Sequence, residues 1–600
     1  MRFLAPFIFL ASIHAAFAQL SLPQPPYLPP NATFGSQASS DVSLGSVNPH
    51  WSSLLGNLLY FYEAQRSGKL PSSNRVSWRN DSALNDGQDA GLDLSGGYYD
   101  AGDYIKCTFP LAFTLMSVCW GGIDSGRGYD LANQTAYLDD MLRWGLDWLI
   151  KAHPSQNTLY VQVGDANLDN AYWGGDQGIP TPRASYQINS TSPGTDAAAQ
   201  ASAAFSACSA LYANRALSSS SPASLTNATY ASTLLTHAQQ LYDFATTADQ
   251  RTYQTSVPQA GEAYASSGFG DDLAIASLFL ALASNSSDLY SKGVNNYISF
   301  GLSSQVQPQN SQVFNWDAKA PGVVILGAQI AQTYPDLASG SSNVNWTSDA
   351  EGYLDGIVNG NGRGFLTKGG LLYYDGDSDE ASLNPALNAA MLLTRYANTV
   401  LPQSSPKRAQ YLAFARSQLD YVLGNNPMTV PYIVGTHPNS PVNPHTAIAT
   451  GAQPSDIDNL DTVPAQERYV LYGAVVGGPD KKDRFWDLRS DWAQGEVALD
   501  YNAPLLTLLA STVIMNDTLT TQDPYYTTNL VVGSYENVRP AGFPCDAAVS
   551  TGCKHGLSTG GKIAVGVVVA VVGSILVILG LVWFLRRKRE TKYSLAPRYN

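Results

Sequence analysis

The chain has 600 residues, of which 44% are hydrophobic and 14% are charged, and its formal net charge is -14. This composition is typical of a folded chain and excludes a disordered one. The acidic balance argues against a nucleic-acid-binding surface, which needs clustered Lys and Arg, so a neutral or hydrated partner fits better.

The first 18 residues have the pattern of a secretory signal peptide. Arg2 precedes an apolar stretch, and Ala16-Phe17-Ala18 forms a small-x-small cleavage site. We therefore expect residues 1–18 to be removed. Residues 19–44 are rich in Pro, Ser and Asn and are expected to form a polar leader. Eight N-x-S/T sequons agree with export.

Apolar residues between 45 and 525 recur mostly at helical spacing, and strand alternation is scarce. The predicted helices cover 51–65, 109–120, 135–153, 196–213, 228–248, 273–284, 321–333, 386–397, 405–423 and 496–516. This all-α pattern allows a bundle, a solenoid or a closed helical toroid, but no fixed repeat period supports a solenoid. We expect the function in the long Gly-, Asn- and Tyr-rich loops between the helices.

Two carboxylates, Asp100 and Asp103, lie three residues apart in SGGYYDAGDYIKCTFPLAF (95–113). Asp-Ala-Gly-Asp is good turn chemistry, so a simple turn is one interpretation. The other is a pair of acids sharing one water: because two nearby carboxylates do not both ionise easily, one can be poised as a base while its neighbour orients the water.

A third carboxylate, Glu496, lies in RFWDLRSDWAQGEVALDYNAPL (484–505), bracketed by aromatic residues. At the start of a predicted helix it can simply complement the helix dipole. In a partly apolar pocket, however, the pKa of a Glu rises and the side chain can donate a proton near neutral pH. The segment therefore also fits a general acid.

The C-terminal region has the pattern of a membrane anchor. Residues 526–562 are polar and irregular and are expected to form a juxtamembrane stalk, whereas 563–585 form an apolar run long enough to span a bilayer. The basic residues 586–589 begin a tail, 586–600, that we expect to be cytoplasmic. The pattern predicts a single-pass type I membrane protein of the secretory pathway, with its main domain extracellular or lumenal.

The five cysteines are too few for a disulfide scaffold. Cys545 and Cys553 flank a short loop and can pair. Cys107, Cys119 and Cys208 lie in apolar helical surroundings, which favours either buried thiols or one bridge and one thiol.

The segments around Asp100 and Glu496, together with FYEAQRSGKLP (61–71), VSWRNDSALNDG (76–87) and DYVLGNNP (420–427), resemble the cellulases of glycoside hydrolase family 9. The resemblance covers essentially all of 45–515. In the last segment, residues at the family's spacing are Phe485, Asp487, Trp492, Glu496, Ala498, Asn502 and Ala503. The resemblance implies an (α/α)6-barrel catalytic domain, assigned to 45–525, followed by the single transmembrane helix.

By position, the resemblance implies that Asp103 is the catalytic base, that Asp100 orients the water and that Glu496 is the general acid. The family inverts the anomeric carbon by single displacement, which needs a base and an acid on opposite faces of the sugar, roughly 6.5 to 9.5 Å apart. Asp487 would support this segment, and Tyr501 would line the same subsite.

The chain departs from the family pattern at sugar-contacting positions. His445 is present, but Thr446 and Ala447 stand where the family commonly has His and Arg. Asn170 replaces a usual His, whereas Trp173 keeps its place. We expect the substrate-binding residues to be Tyr501, His445, Trp173 and Asn170, with altered subsite affinity or substrate preference rather than lost chemistry.

No cofactor is required by this chemistry, but the resemblance also implies a structural calcium ion, which some family members bind. The matching residues are Ser267, Gly268, Asp271, Asp272 and, more distant in sequence, Asp317. Oxygen ligands suit calcium. Asp272 replaces the usual Glu, and Asp-Asp at a helix start is equally explained as an N-cap.

The sequence therefore predicts a membrane-anchored endo-β-1,4-glucanase that acts on cellulose or related β-glucans. Two alternatives stay open. One is a catalytically weak carbohydrate-binding or wall-sensing membrane protein. The other is a hydrolase of another β-linked glycan, such as a mixed-linkage glucan or an aminosugar polymer.

Overall fold

Helices make up most of the ordered elements in the computed structural model, whose described residues are 19–29, 49–339, 343–518 and 523–553. The helices are α1 (Pro49–Ala64), α2 (Thr108–Asp124), α3 (Arg127–Leu131), α4 (Thr135–Ala152), α5 (Ala166–Asn170), α6 (Thr195–Tyr212), α7 (Ala228–Thr247), α8 (Tyr253–Ser256), α9 (Gly270–Ser284), α10 (Ser287–Ser299), α11 (Ala320–Thr333), α12 (Pro335–Ala338), α13 (Trp346–Val358), α14 (Leu383–Thr399), α15 (Pro406–Val422), α16 (Ala447–Thr450), α17 (Trp492–Gly495), α18 (Leu499–Thr518), α19 (Tyr525–Asn529) and α20 (Ser534–Val538). The strands are β1 (Lys106–Cys107), β2 (Thr158–Val163), β3 (Ser185–Asn189), β4 (Phe365–Leu366) and β5 (Leu372–Tyr373).

Six helices form a closed inner ring in the order α2, α6, α9, α11, α14 and α18, and α18 returns to contact α2. A second helix packs outside each of them: α4 on α2, α7 on α6, α10 on α9, α13 on α11, α15 on α14 and α1 on α18. This arrangement is an (α/α)6 barrel. Of the three helical architectures that the periodicity allowed, the closed toroid is therefore the correct one.

The two rings differ in the way their helices are buried. Every residue of α6, TDAAAQASAAFSACSALY, is buried, which requires small or apolar side chains on all sides of the helix. The outer helix α7 instead buries one stripe, including Tyr230, Leu234, Leu241 and Phe244, and leaves polar residues outside. An amphipathic pattern, as in α7, thus indicates an outer helix. A pattern of small or apolar residues on all sides, as in α6, indicates an inner helix.

The short strands bring two loops together. In the three-stranded antiparallel sheet with the order β1-β2-β3, Lys106 of β1 pairs with Val163 of β2. Because the strands run in opposite directions, the residues before Lys106 lie beside the residues after Val163. The Asp100–Asp103 loop is therefore held next to α5. Strands β4 and β5 form a separate antiparallel pair.

Residues on both sides of the predicted barrel domain (45–525) pack against it. Tyr27, in the expected polar leader, is buried and donates its hydroxyl to the Ser53 carbonyl at 2.7 Å. Tyr535, in the expected stalk, is also buried and donates to the Phe485 carbonyl at 2.9 Å. Aromatic rings within otherwise polar segments supply apolar area to bury, which composition averaged over a segment conceals.

Among the described residues, 542–545 and 550–553 form a second unit. Within it, Cys545 and Cys553 form a disulfide, as the sequence allowed. The predicted signal peptide (1–18), transmembrane helix (563–585) and cytoplasmic tail (586–600) lie outside the described residues. Among the helices that are described, none has both the length and the apolar character needed to cross a membrane.

A second disulfide joins Cys119 of α2 to Cys208 of α6, two neighbours in the inner ring. Cys107 is a buried free thiol. Of the two possibilities for these three cysteines, one bridge and one thiol is correct. Disulfides persist in oxidising compartments, in agreement with export.

Candidate active site

A cavity of about 490 Å³ lies where several segments meet just before the inner-ring helices. Asp100 and Asp103 precede α2, Tyr264 precedes α9, and Glu496 precedes α18. The complete lining is Asp100, Ala101, Asp103, Ile105, Ala166, Asn170, Glu262, Ala263, Tyr264, Asn315, Trp316, Gly376, Asp377, Glu380, Ala381, Asn384, Pro385, Trp492, Glu496, Asp500 and Tyr501. The three carboxylates singled out in the sequence therefore share one cavity, although Glu496 is distant from the other two along the chain.

The Asp100–Asp103 loop is tight because glycine lets its neighbours approach closely. Gly97 has φ +72°, and a Cβ at this position would lie 2.5 Å from the Trp148 ring. A Cβ on Gly102 would lie 2.2 Å from the His445 carbonyl oxygen. The backbone N–H of Asp100 donates to the Ile105 carbonyl at 3.0 Å and closes the loop.

Glu496 does not lie in a helix, in contrast to the prediction of a helix over 496–516. It caps the short helix α17 with extended backbone (φ -64°, ψ 148°), and α18 begins only at Leu499. Glu496 forms a parallel bridge with His445, whose N–H donates to the Gly495 carbonyl at 2.8 Å. This pairing between distant segments overrides the local helical preference and turns the side chain toward the cavity.

Burial keeps these carboxyl groups protonated at higher pH than usual. Burial, together with smaller contributions from the nearby carboxyls of Asp100 and Asp500, raises the pKa of Glu496 to about 8. Burial also raises the pKa of Asp100, a hydrogen bond from Tyr264 opposes this rise, and the resulting pKa is about 8. Glu496 is therefore suited to donate a proton at neutral pH.

Burial likewise raises the pKa of Asp103 well above its ordinary value. The carboxyl of Asp169 is the next contribution, followed by those of Glu496 and Asp100. Because neighbouring carboxylates in a poorly solvated site do not all ionise together, these groups titrate as a coupled set.

Two residues of the lining, Tyr264 and Asp500, were not identified from the sequence motifs. Tyr264 donates its hydroxyl to Oδ2 of Asp100, and its ring meets the Trp316 ring edge-on at 4.9 Å between centroids. Asp500 accepts a hydrogen bond from Nδ2 of Asn384 at 3.0 Å. Asp500 follows Glu496 by four residues, and that spacing is the one feature that could have identified it.

The four predicted substrate-binding residues divide into two pairs. Tyr501 and Asn170 line the cavity. Trp173 is buried and packs on His445 with a centroid distance of 4.8 Å, and neither ring belongs to the lining. Nδ1 of His445 lies 2.5 Å from the Arg489 carbonyl oxygen, which fixes the imidazole beside Gly102. The sugar contacts of all four residues stay predictions.

Two of the positions where the chain departs from the family pattern, Thr446 and Ala447, are inaccessible. Thr446 and Ala447 are both fully buried, and the Ala447 N–H donates to the Gly102 carbonyl at 2.7 Å. Asp487 is buried with φ +52° and accepts N–H donors from Val442 at 3.0 Å and Asn443 at 3.1 Å. Asp487 thus holds the loop that leads to His445, and its supporting role in the reaction stays a prediction.

The residues of the predicted calcium loop already have protein partners. Nζ of Lys319 lies 2.8 Å from Oδ1 of Asp272, with both side chains fully buried, and the Lys319 N–H donates to Asp271 at 2.5 Å. Asp317 accepts the N–H of Ser267 at 2.7 Å, while Gly268 lies between these groups in the loop. Within the described ranges, no group of three or more His, Cys, Asp or Glu is arranged to hold a metal. As placed, these residues do not fit a calcium site, and calcium binding stays a prediction.

The chain is similar to several known proteins. Endoglucanase 13 of Arabidopsis thaliana is 36% identical over 484 residues, which cover 78% of this chain and 94% of the relative. Endoglucanase A of Bacillus pumilus is 36% identical over 457 residues, covering 75% of this chain and 64% of that protein. The solved endoglucanase of the termite Nasutitermes takasagoensis superposes with a TM-score of 0.68 at 35% identity, covering 78% of this chain and 99% of the termite chain.

The profile of the family described as Glycosyl hydrolase family 9 matches residues 51–509. This range contains all twelve helices of the two rings except the first residues of α1 and the last residues of α18. It also contains the whole cavity lining. The chain belongs to glycosyl hydrolase family 9.

Proposed function

We propose that this protein is an endo-β-1,4-glucanase that hydrolyses cellulose or related β-glucans by single displacement with inversion. The observation that carries the proposal is the shared cavity of Asp100, Asp103 and Glu496 on the barrel of a family whose relatives are endoglucanases. The same relatives favour a glucanase over a binding or sensing protein.

In the proposed reaction, Glu496 donates its proton to the departing glycosidic oxygen while water attacks the anomeric carbon from the opposite face. Asp103 accepts the proton of that water, and Asp100 orients it. The bond between carbon and leaving oxygen breaks as the bond to water oxygen forms, so the product has inverted configuration. The raised pKa of Glu496, about 8, supports the role of acid because the group stays protonated at neutral pH.

The cavity supports an altered substrate preference among the β-glucans, because its contacts to the sugar differ from the family pattern. Thr446 and Ala447 are buried and offer no polar group to a sugar, and the amide of Asn170 replaces a potentially charged imidazole in the lining. Hydrogen bonds to charged groups are worth roughly 1.5 to 3 kcal/mol each. Binding therefore relies more on Tyr501 and Trp316 in the lining, whose ring faces suit glucose.

We further propose that the enzyme is attached to a membrane by residues 563–585, with the barrel on the extracellular or lumenal side. The support is the sequence: an apolar run long enough to cross a hydrocarbon layer of roughly 30 Å, followed by the basic residues 586–589. Alkaline carbonate extraction of membranes from expressing cells tests this proposal. Release of the full-length chain into the soluble fraction would contradict it.

The activity is tested with the full-length chain in detergent and a panel of soluble β-glucans and aminosugar oligomers. We expect hydrolysis of β-1,4-glucans, a first product of inverted anomeric configuration, and a rate lower by roughly 10² to 10⁴ for Glu496→Gln. Equal rates for the two proteins on every substrate would overturn the enzymatic function. A retained first product would overturn the single displacement.

A further inference from the structure

The end of the outer helix α1 pairs with the segment that leads into the Asp100–Asp103 loop. Arg66, two residues after the helix ends, forms an antiparallel bridge with Tyr98. Next to this bridge, the Tyr99 N–H donates to the Gln65 carbonyl at 2.8 Å. The backbone at the end of α1 is therefore fixed against the residues that precede the two aspartates.

The Gln65 side chain extends this contact into the loop itself. Gln65 is fully buried, and its Nε2 donates to the Ala101 carbonyl at 2.6 Å. This contact fixes which end of the amide points to the loop, because a carbonyl oxygen accepts hydrogen bonds and only the amide nitrogen donates them. Ala101 lies between the two aspartates and lines the cavity, whereas Gln65 does not. No role in the reaction described above uses Gln65.

Three peptide units connect the α-carbons of Asp100 and Asp103, and a donor from outside the loop holds the carbonyl of each. The Leu499 N–H donates to the first, the Asp100 carbonyl, at 3.1 Å. The amide of the glutamine holds the second at 2.6 Å. The Ala447 N–H holds the third, the Gly102 carbonyl, at 2.7 Å. Because each peptide unit is planar, these three contacts together fix where the two aspartates lie relative to each other.

Helix α1 also holds the segment of the proposed acid. Tyr62, in its last turn, donates its hydroxyl to the Leu499 carbonyl at 2.7 Å. Leu499 follows Glu496 by three residues. Residues three apart lie on the same side of a helix, so Tyr62 and Gln65 face the site together. One outer helix thus contacts both the loop of the base and the segment of the acid, whose separation an inverting mechanism requires to be roughly 6.5 to 9.5 Å.

We propose that Gln65 is a positioning residue for the hydrolysis: its amide holds the middle peptide unit of the loop and so orients Asp103 relative to Asp100 and Glu496. The inference rests on the proposed function. The other two donors are backbone N–H groups, which most substitutions leave in place. Gln65 is therefore the one donor of the three that a change of side chain removes.

The variant Gln65→Leu removes the donor and keeps a side chain of similar size. We expect kcat on a soluble cello-oligosaccharide to fall roughly 10- to 100-fold, because a shift of about 1 Å in a catalytic group costs up to about 100-fold. KM should change little, since Gln65 does not line the cavity. A wild-type kcat in Gln65→Leu would overturn the inference.

The matched control is Gln329→Leu, at another fully buried glutamine. Gln329 accepts the Trp120 Nε1–H at 2.8 Å and donates to Thr399 at 3.0 Å. Thr399 is the last residue of α14, and the cavity lies at the other end of that helix. Both variants should have a lower Tm, because each leaves buried polar groups without a partner, but only Gln65→Leu should have a lower kcat. A fall in kcat of the same size in both variants would overturn the inference.

The variant Gln65→Glu provides a test that lost packing would not reproduce. A protonated Glu can donate to the Ala101 carbonyl, whereas an ionised Glu has no donor. Burial places the titration of such a Glu above its ordinary pKa of about 4.3 and up to about 9. The ratio of its kcat to the wild-type kcat should therefore fall roughly tenfold or more as pH rises from about 5 to about 10. A constant ratio would overturn the inference, even if Gln65→Leu did not fold.

Hydrogen exchange tests the positioning without activity. The Asp100 N–H donates to the Ile105 carbonyl and closes the loop, so its exchange depends on the loop keeping its shape. In the full-length protein in detergent, a peptide covering residues 98–105 should exchange faster in Gln65→Leu than in the wild type or in Gln329→Leu. Exchange at the wild-type rate in Gln65→Leu would overturn the inference. Failure of the wild type on every glycan would instead contradict the proposed function, and the exchange result would still decide whether Gln65 holds the loop.

Discussion

The phenolic hydroxyl of Tyr264 donates a hydrogen bond to Oδ2 of Asp100 across the wall of the cavity. Tyr264 is 164 residues from Asp100 in sequence, and its own position is fixed by the Trp316 ring packed edge-on against it. A tyrosine from the segment before α9 thus controls the orientation of a carboxylate in the segment before α2. Asp100 can then accept a hydrogen bond from water only with its remaining lone pairs.

Removing this hydroxyl should slow the reaction without unfolding the protein. In Tyr264→Phe the buried Asp100 carboxyl loses a donor, and since that donor lowers the pKa of Asp100, its pKa should rise above about 8. A hydrogen bond to a charged group is worth roughly 1.5 to 3 kcal/mol, so we expect kcat to fall roughly 10- to 100-fold. The control is Tyr297→Phe, which removes a comparable hydroxyl bonded to Asp349 at 2.7 Å between outer helices. Equal kcat values for both variants would contradict the role of Tyr264.

The pH dependence of hydrolysis should be bell-shaped and displaced toward neutral pH. Glu496 must be protonated to act as an acid, and its pKa of about 8 predicts that kcat/KM falls as pH rises above about 8. Asp103 must be ionised to act as a base, and its raised pKa predicts that the acidic limb lies above the ordinary pKa of an Asp, about 3.9. The profile of kcat/KM from pH 4 to 10, about the range spanned by these pKa values, tests both limbs. Activity that already declines between pH 6 and 7, roughly one to two units below the pKa of Glu496, would contradict the assignment.

The ion pair between Lys319 and Asp272 should be essential to stability. Both side chains are fully buried, so Lys319→Met would leave a buried carboxylate without its counterion. Breaking such a pair costs roughly 3 to 5 kcal/mol of unfolding free energy. Denaturant unfolding should show that loss, and the double variant with Asp272→Leu should recover part of it.

A surface pair provides the control for that measurement. Lys481 and Asp375 lie 3.5 Å apart with more than half of each side chain exposed, so Lys481→Met should cost less than about 1 kcal/mol. A loss for Lys319→Met no larger than the loss for Lys481→Met would contradict the importance of the buried pair.

Chelation should leave the enzyme unchanged, because the Lys319 ammonium already neutralises Asp272 in the loop predicted to bind calcium. We expect the same Tm and the same rate after dialysis against a chelator as after dialysis with added calcium. A Tm that falls on chelation and recovers with calcium would show that the loop rearranges around the ion.

The contact between His153 and His237 should make the protein less stable in weak acid. Their Nδ1 atoms lie 2.7 Å apart, an arrangement that requires at least one neutral ring. Burial lowers the pKa of His153 to about 4 and also lowers the pKa of His237. Because the unfolded histidines take up protons near pH 6.5, stability is fully present above that pH and is lost as pH falls toward 4.

The variant His237→Gln tests this effect, since it removes one titrating ring. The free energy of unfolding of the wild type should fall between pH 7 and 5, by at most roughly 1.4 kcal/mol per pH unit for each histidine. The variant should lose less over the same interval, even if lost packing on Phe205 lowers its stability at pH 7. Parallel declines in both proteins would contradict the prediction.

The sequence was sufficient to find the three central carboxylates because each lies in a dense local pattern. Glycines surround Asp100 and Asp103, and aromatic residues bracket Glu496 at fixed spacing. The same local patterns could not locate Tyr264. Its partner comes from another segment, and it lies in no motif of its own, so ring packing and its hydrogen bond to Asp100 bring it to the site.

The periodicity of apolar residues predicted where helices form, but it did not predict how the helices pack. It predicted helices close to ten of the twelve ring members and missed the outer helices α10 and α13. The contact between α18 and α2 that closes the barrel has no local signature. Periodicity also extended the last helix back to Glu496, where the bridge to His445 instead imposes extended backbone. Pairing between distant segments decided each of these outcomes.

Closure of the inner ring also has a consequence for the order in which the protein matures. The base-bearing loop precedes the first inner helix and the acid precedes the last, so no shorter N-terminal fragment contains both halves of the proposed chemistry. Docking α18 between α14 and α2 joins ends of the domain that are far apart in sequence, and such non-local contacts are expected to form slowly. We therefore expect a nascent or truncated chain to acquire hydrolytic activity only after α18 has docked into the inner ring.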